Sequence, residues 1–442
     1  MNTNPRRDFL RLAAALAGTA AAGAQAQAGG DYKALVCVFL MGGNDGHNLV
    51  VPLATAAYNA YRSARGPLAL PDGSATLIPV STPEGTPYGL NSGLAAIAPL
   101  WSQGRLAVMA NVGPLVRPVT RAEVLAGTAP LPSNLYSHAD QIVLQQAGNA
   151  SGSGGTGWGG RTADGVQSRN GSSSFPAAVS LAGQALFCAG ASVPSASLIP
   201  GYDLAADGLS AWPDSAAAAR RAALLQVLNI DNGMALVQAA NRVRRDALSL
   251  NALLAGSGSA TLATAFPGTD LGRQLQQVAR LIKLRASTGM SRQVFFTAIG
   301  GFDTHAQQSW TQWDLLRQVA EAMAAFHAAT VELGVAGQVT AFTQSDFGRT
   351  LQPSGSGSDH GWGNHHLLLG GAVRGGRVYG QFPQPALGGT DDAGSRGALI
   401  PSTSLEQFGA TLARWFGVAP AALPSVFTNL GNFASSDLGF MA

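Results

Sequence analysis

The sequence predicts an α/β fold in which helices cover both faces of a central, mostly parallel sheet. Short apolar runs without clean polar alternation are typical of strands that are buried on both sides. Segments with helical periodicity lie between those runs. Hydrophobic residues make up 46% of the 442 residues and charged residues only 12%, a composition that favours a large buried core over disorder.

Four apolar runs are predicted to be buried strands: Ala34–Leu40, Leu106–Val112, Val294–Ile299 and Val339–Thr343. Helical periodicity predicts helices at Ser215–Leu228, Ala235–Leu254, Leu271–Leu284, Trp313–Leu333 and Leu405–Phe416. The last helix follows a capping box formed by Thr403 and Glu406 and stops at a glycine. The Ser/Gly-rich stretches 150–157 and 354–358 are predicted to be mobile loops.

The first 28 residues are predicted to be a twin-arginine export signal. Arg6 and Arg7 are followed by Phe-Leu and by an apolar run that is too short to span a bilayer, and the segment ends in Ala-x-Ala cleavage sites. We expect residues 29–442 to be a single periplasmic or secreted domain, with a helical insertion around residues 165–290. The twin-arginine export machinery is then an expected partner, and stable membrane insertion is not expected.

The charge balance argues against a nucleic-acid-binding protein. The formal net charge is +3, but without the charged residues of the leader the chain has 24 basic and 23 acidic residues. No stripe of Lys and Arg marks a surface for a phosphate backbone. Nucleic acid is therefore not an expected partner.

Three of the predicted strands run directly into acidic residues. Asp45, Asp303 and Asp346 each follow the end of such a strand within a Gly-rich or polar turn. Ligands bind outside the carboxyl ends of the strands in open parallel sheets, so the three carboxylates are expected to meet in one crevice. Unpaired carboxylates at one place repel each other, and a bound cation relieves that repulsion.

The histidines strengthen this hypothesis. The chain contains seven, namely His47, His138, His305, His327, His360, His365 and His366. All but His327 lie beside a Gly-rich or acidic motif, and the densest group spans residues 359–366. Mixed imidazole and carboxylate ligands favour zinc or manganese over calcium. Two alternatives stay open: Asp45 in Asn-Asp-Gly also suits a simple turn, and Asp359 also suits a residue that only orients a neighbouring histidine.

A set of motifs along the chain resembles a known bacterial family. The motifs are Gly42-Gly43-Asn44-Asp45-Gly46, Ser137-His138, Gly157-Trp158-Gly159-Gly160-Arg161, Phe302-Asp303-Thr304-His305, Ser345-Asp346-Phe347-Gly348-Arg349 and Asp359-His360-Gly361. With the twin-arginine leader, they resemble the family catalogued as domain of unknown function 1501. That family is grouped with the alkaline phosphatase and sulfatase superfamily, so the resemblance implies an alkaline phosphatase-like fold and a metal centre.

The resemblance also implies roles for individual residues. Asp45 and Asp346 look like ligands of the metal nearer the nucleophile, and Asp303, His305 and His360 look like ligands of a second metal. The full set of candidate metal ligands is Asp45, Asp303, His305, Asp346, Asp359, His360 and His366.

The sequence departs from the superfamily's phosphatases at two places. Phe347 stands where those enzymes usually have a histidine, and Asp303 lies closer to His305 in sequence than the equivalent pair does. One divalent ion, or a rearranged pair that uses His365 or His366, is therefore as compatible with the sequence as two zinc ions.

The candidate catalytic residues are Ser137, His138 and Arg349. The resemblance makes Ser137 the best-placed nucleophile, whose hydroxyl pKa a metal would lower. His138 suits a general acid or base, a ligand or a structural neighbour, and Arg349 suits either an anionic substrate or an internal salt bridge. Cys37 and Cys188 lie in no sulfatase modification motif, and the sequence leaves open whether they form a disulfide.

The sequence thus supports two functions. The first is metal-dependent hydrolysis or transfer at a phosphate or sulfate ester, with a small anionic ester as substrate. The alternative is an exported, metal-stabilised binding or assembly protein that keeps the fold without the chemistry, because fold does not imply function. An α/β serine hydrolase is disfavoured, since the chain has no Gly-x-Ser-x-Gly elbow.

Overall fold

A central sheet of nine strands organises the computed structural model of this protein. The structure describes residues 31–150, 152, 154–200, 209, 212–230, 233–255 and 260–442, and the predicted export signal lies outside them. The strands are β1 Lys33–Leu40, β2 Val50–Pro52, β3 Leu77–Ser81, β4 Pro87–Asn91, β5 Leu106–Gly113, β6 Ala178–Ser180, β7 Ser195–Ser197, β8 Arg292–Ile299, β9 Val339–Ser345, β10 Arg349–Ser354, β11 Gly357–His360, β12 Asn364–Gly370, β13 Val378–Tyr379 and β14 Thr403–Ser404.

The strand directions make the central sheet mostly parallel. Its order is β13-β5-β12-β9-β1-β8-β6-β7, and β14 also pairs with β5. Among the described strands of this sheet only β12 is antiparallel to its neighbours, β5 and β9. A three-stranded sheet, β2-β4-β3, and a hairpin of β10 and β11 lie apart from it. The predicted α/β class with a mostly parallel central sheet is therefore confirmed.

The centre of the sheet consists of β1, β8 and β9, the strands whose apolar runs the sequence marks most clearly. All residues of β9, and all but one terminal residue of β1 and of β8, are buried, as expected for strands covered on both sides. Leu40 at the end of β1 pairs with Ile299 of β8 and with Ser345 of β9. Because the three strands end at the same level, the loops that follow them begin side by side.

Helices pack against this sheet and against each other. The helices with α-helical geometry are α1 Thr55–Arg65, α2 Pro99–Ser102, α3 Arg121–Leu125, α4 His138–Ala147, α5 Trp158–Asp164, α6 Asp214–Leu228, α7 Ala235–Ala255, α8 Asp270–Lys283, α9 Gln308–Glu332, α10 Leu405–Phe416 and α11 Leu423–Val426. Helix α10 packs on β1 and β5, α5 on β6 and β8, and α8 on β8 and α9. None of the helices within the described residues is long and apolar enough to cross a bilayer.

Two local predictions differ from the structure. The capping box of α10 is formed by Ser404 and Gln407, one residue later than predicted. Thr403 is instead paired in the sheet with Val112, and the buried Glu406 carboxylate accepts hydrogen bonds from Asn429. The predicted mobile loop at residues 354–358 includes the tight turn of the β10–β11 hairpin.

The segment around residues 165–290 contains helices and also two strands at one edge of the central sheet. Helices α6, α7 and α8 lie in it, but so do β6 and β7, which extend the central sheet beyond β8. These two strands have only three residues each and small side chains, so they carry no apolar run that sequence periodicity detects. Cys37 and Cys188 are both buried, and neither is in a disulfide.

His366 on β12 is buried in the core without a polar partner. It is 1% exposed, its two ring nitrogens form no hydrogen bond in the described part of the chain, and its ring packs against Phe408. Burial, with a smaller contribution from His365, lowers the pKa of His366 from 6.5 to about 3. The folded protein therefore holds this imidazole neutral.

Replacing His366 by leucine is expected to reduce the loss of stability in acid. The unfolded chain takes up the proton as pH falls through 6.5, whereas the folded chain does so only near its pKa of about 3, so the wild type is destabilised between these values. At pH 5 the difference is about 2 kcal/mol. In urea unfolding experiments, the free energy of unfolding should fall by about 2 kcal/mol less between pH 8 and pH 5 for His366→Leu than for the wild type. An equal fall in both proteins would contradict this account.

Candidate metal centre

The loops after the central strands carry the candidate site. Asp303 and His305 follow β8, Asp346 follows β9, and His360 is the last residue of β11. His138 is the first residue of α4 and comes from a distant part of the chain. The level ends of the parallel strands thus place Asp303, His305 and Asp346 at one edge of the sheet, and His138 and His360 approach them from other elements.

Three imidazole nitrogens surround one oxygen of Asp303. The Oδ1 atom lies 3.0 Å from Nε2 of His305 and 3.4 Å from Nε2 of both His138 and His360. The Nε2 atoms of His305 and His360 are 3.0 Å apart. Ligand atoms of His138, Asp303 and His360 lie within 4.8 Å of one another, close enough to hold a metal ion.

The other nitrogen of each imidazole has its own partner. Nδ1 of His138 lies 2.7 Å from Oδ2 of Asp346, and Nδ1 of His360 lies 2.7 Å from the carbonyl oxygen of Tyr136. Nδ1 of His305 lies 3.5 Å from Oδ1 of Asp359. The acceptors at 2.7 Å favour a proton on Nδ1 of His138 and of His360 and leave the lone pair of Nε2 directed toward the centre, as carboxylates and carbonyls do behind metal-bound histidines.

The arrangement fits a cation better than it fits hydrogen bonds alone. With the protons on Nδ1, the close Nε2 atoms of His305 and His360 present lone pairs to each other. Nε2 of His138 is buried and forms no hydrogen bond within the described residues. Three nitrogen lone pairs and a carboxylate oxygen are a donor set that suits zinc or another first-row divalent ion.

A buried arginine keeps the central carboxylate charged. The Arg349 side chain is fully buried, and its Nη2 lies 2.5 Å from Oδ1 of Asp303. Partial burial opposes the ionisation of Asp303, but the hydrogen bond and charge of Arg349 outweigh it and lower the carboxyl pKa to about 2. Asp303 is therefore an anion at neutral pH, the form that binds a metal.

Phe347 packs against two of the imidazoles. The centre of its ring lies 4.7 Å from that of His138 and 4.6 Å from that of His360. Gly43 allows this packing, because a Cβ atom there would lie 2.4 Å from the phenyl ring and its φ is +82°. Phe347, which follows Asp346 in the loop after β9, thus contacts two histidines from other segments.

Asp45 lies outside the group of ligand atoms. It is fully buried, its Oδ1 accepts a hydrogen bond from the amide of His47, and its Oδ2 accepts one from Nε2 of Gln308 at 2.5 Å and pairs with Arg65. Burial raises the carboxyl pKa of Asp45, with Arg65 opposing the shift. Both oxygens are therefore engaged within the protein.

Two further predicted ligands contact the histidines rather than the centre. Oδ2 of Asp346 lies within hydrogen-bond distance of Nδ1 of His138. The same oxygen also accepts a hydrogen bond from the amide of Gly42 at 3.1 Å. Burial raises the pKa of Asp346, against the opposing hydrogen bond from His138. Asp359 faces His305 and pairs with Arg396 at 2.5 Å, which corresponds to the orienting role left open by the sequence.

The remaining candidates have other surroundings. His366 lies in the core, and Nδ1 of its neighbour His365 accepts a hydrogen bond from the amide of Asn111 at 2.9 Å. Ser137 is the N-cap of α4, where its Oγ accepts from the amide of Asp140 at 3.5 Å. Arg349 forms the internal salt bridge that the sequence left open as an alternative to binding an anionic substrate.

Three groups that complete the centre have weak sequence signals or none. The sequence marks His138 only through the short Ser137-His138 motif, and ligation was one of three roles open to it. The carbonyl of Tyr136 has no sequence signature at all, because a backbone acceptor is present at every residue. The packing of Phe347 involves His360, 13 residues further on, and His138, more than 200 residues earlier in the chain.

Comparison with known proteins identifies a family that the sequence matches and solved structures that resemble the chain only distantly. Residues 32–417 match the family described as "Protein of unknown function (DUF1501)". None of the curated proteins matches the chain by sequence.

The solved structures that resemble the chain are distant. Ps i-CgsB has 10% identity and a TM-score of 0.37 over 90% of this chain and 77% of its own. Its complex with k-i-k-neocarrahexaose has 9% identity and a TM-score of 0.38 over the same shares of the two chains. The PsFucS1 sulfatase from Pseudoalteromonas sp. has 9% identity and a TM-score of 0.34 over 89% of this chain and 69% of its own. Similarity of this extent adds nothing to the family assignment.

Because the family match spans most of the sequence, the chain belongs to the DUF1501 family.

Proposed function

We propose that this protein is an exported, metal-dependent hydrolase or transferase that acts on a phosphate or sulfate ester. His138, Asp303, His305 and His360 would hold one divalent ion, with zinc or manganese the best match to the donor set. The observation that carries the proposal is the convergence of three Nε2 atoms on Oδ1 of Asp303, while each Nδ1 has its own acceptor.

Such an ion would supply Lewis acidity, which would stabilise charge on an ester oxygen and make a bound hydroxyl more nucleophilic. The residues of this chain supply orientation and charge. Asp346 and the Tyr136 carbonyl would hold the protons of His138 and His360 on Nδ1, and Asp359 faces Nδ1 of His305 at 3.5 Å. Arg349 keeps Asp303 ionised, as its pKa of about 2 indicates.

Ser137 is the proposed nucleophile. Its side chain precedes His138 directly, and its capping bond to the Asp140 amide is 3.5 Å long, so the hydroxyl is only weakly held. It also lies at the N-terminus of α4, where the helix dipole favours a developing anion. Attack by Oγ would form an ester with the serine and release the alcohol, and water would then hydrolyse that ester.

Metal binding is the first test. Purified wild-type protein is expected to bind about one equivalent of Zn²⁺ or Mn²⁺ in a calorimetric titration supported by elemental analysis. His360→Ala removes one ligand and is expected to lower affinity by more than ~100-fold, since even losing an outer partner costs 10–100-fold. His327→Ala is the matched control, because His327 lies on α9 outside the centre. Absence of metal binding by the wild type, or equal affinity in His360→Ala, would contradict the proposed centre.

Substitution of Ser137 separates catalysis from helix capping. Ser137→Ala is expected to lose turnover by at least ~100-fold while it keeps its metal, and to lose about 1 kcal/mol of stability with the cap. Ser137→Asn restores a good N-cap without a suitable hydroxyl, so it should regain stability but not turnover. Full turnover in Ser137→Ala would reject the serine as nucleophile.

The substrate class is measured with phosphomonoester, phosphodiester and sulfate-ester probes on metal-loaded protein. Turnover of one class that is lost in His360→Ala and kept in His327→Ala supports the enzyme. Metal binding without turnover of any class would favour the alternative of a metal-stabilised binding or assembly protein.

A further inference from the structure

Two tryptophans form an exposed aromatic stack on α9. Trp310 is 69% exposed, and its ring stacks on that of Trp313, with ring centres 5.0 Å apart and planes inclined by 26°. The indole N–H of Trp313 donates to Oγ of Ser92 at 3.0 Å, which fixes the inner ring. The outer ring therefore rests on a fixed support although most of it faces solvent.

The stack lies at the edge of the sheet that carries the metal centre. Helix α9 begins at Gln308, whose side chain binds Asp45 in the loop after β1 and accepts a hydrogen bond from Ser358 on β11. Trp310 is in the first turn of this helix, five residues after His305. Five residues span at most about 18 Å, so one elongated molecule can reach both places.

The residues next to Trp310 along the chain are polar and uncharged. They include Gln307, Ser309 and Thr311 at the start of the helix. The next charged residues along α9 are Asp314 and Arg317, which pair with each other at 2.7 Å. A cationic ligand or an anionic lipid surface would find no free opposite charge in this part of the helix. The stack suits a neutral molecule with an apolar face and polar edges.

A sugar ring has that chemistry. One face of a pyranose presents C–H groups, which pack on the electron-rich face of an indole ring, and its edge presents hydroxyl groups to polar side chains. We propose that Trp310 and Trp313 form a carbohydrate-binding subsite. This inference rests on the proposed function and deepens it, since it makes the substrate a phosphate or sulfate ester carried on a glycan chain.

The subsite is tested by binding rather than by turnover. The probes are the neutral oligosaccharides cellohexaose, maltohexaose and chitohexaose, each titrated to 10 mM against the full chain with tryptophan fluorescence and calorimetry as readouts. The wild type is expected to bind at least one probe. Trp310→Ala is expected to weaken that binding by roughly 10-fold, by analogy with the loss of about 1–3 kcal/mol when an aromatic side chain under a stacked nucleic-acid base is removed, and Trp310→Phe should retain more of it.

Trp212→Ala is the matched control, because Trp212 is 88% exposed and stacks on no ring among the described residues. It should bind the same probe with unchanged affinity. His360→Ala should also bind it, because the stack does not depend on the ion; a failure of metal binding or hydrolysis is thereby distinguished from a failure of the subsite. No binding of any probe by the wild type, or equal binding by Trp310→Ala, would overturn the inference.

Discussion

The candidate centre depends on one buried guanidinium. Arg349 donates to the carbonyls of Gly42 and Gly43 after β1, of Phe302 after β8, and of Ser358 on β11, as well as to the Asp303 carboxylate. A buried guanidinium must satisfy its N–H groups within the protein, because an unpaired one is costly. It therefore fixes three segments in one arrangement while it keeps the central carboxylate ionised.

The surroundings of each histidine decide its chemistry. His138, His305 and His360 each have an acceptor at Nδ1 and a free Nε2 directed at Asp303. His366 has the same side chain, but burial without any partner holds it neutral and lowers its pKa to about 3. An imidazole suits a metal ion where an acceptor orients it and an anion lies beside it, and neither condition is met at His366.

The parallel sheet gives the centre its location. Because β1, β8 and β9 end at the same level, short turns after them bring backbone carbonyls and carboxylates to one edge. Helix α9 begins at that edge and carries the stacked pair Trp310 and Trp313 in its first two turns. The proposed ester chemistry and the proposed sugar subsite are thus adjacent features of one edge, although different segments build them.

The local pattern of residues was enough to predict β1, β8 and β9 and the helices α6 to α10, whereas the grouping of Asp303 with His305 and His360 came from the resemblance to a known family. Apolar runs and turn motifs are properties of neighbouring residues, so a sequence displays them directly. Only the tertiary structure decided which acid faces which base. Asp45 occupies a predicted ligand position, yet it is paired with Arg65 and Gln308. His138 comes from a helix start more than 160 residues from Asp303 and completes the centre. Such pairings depend on contacts between distant segments, and a local pattern carries no information about them.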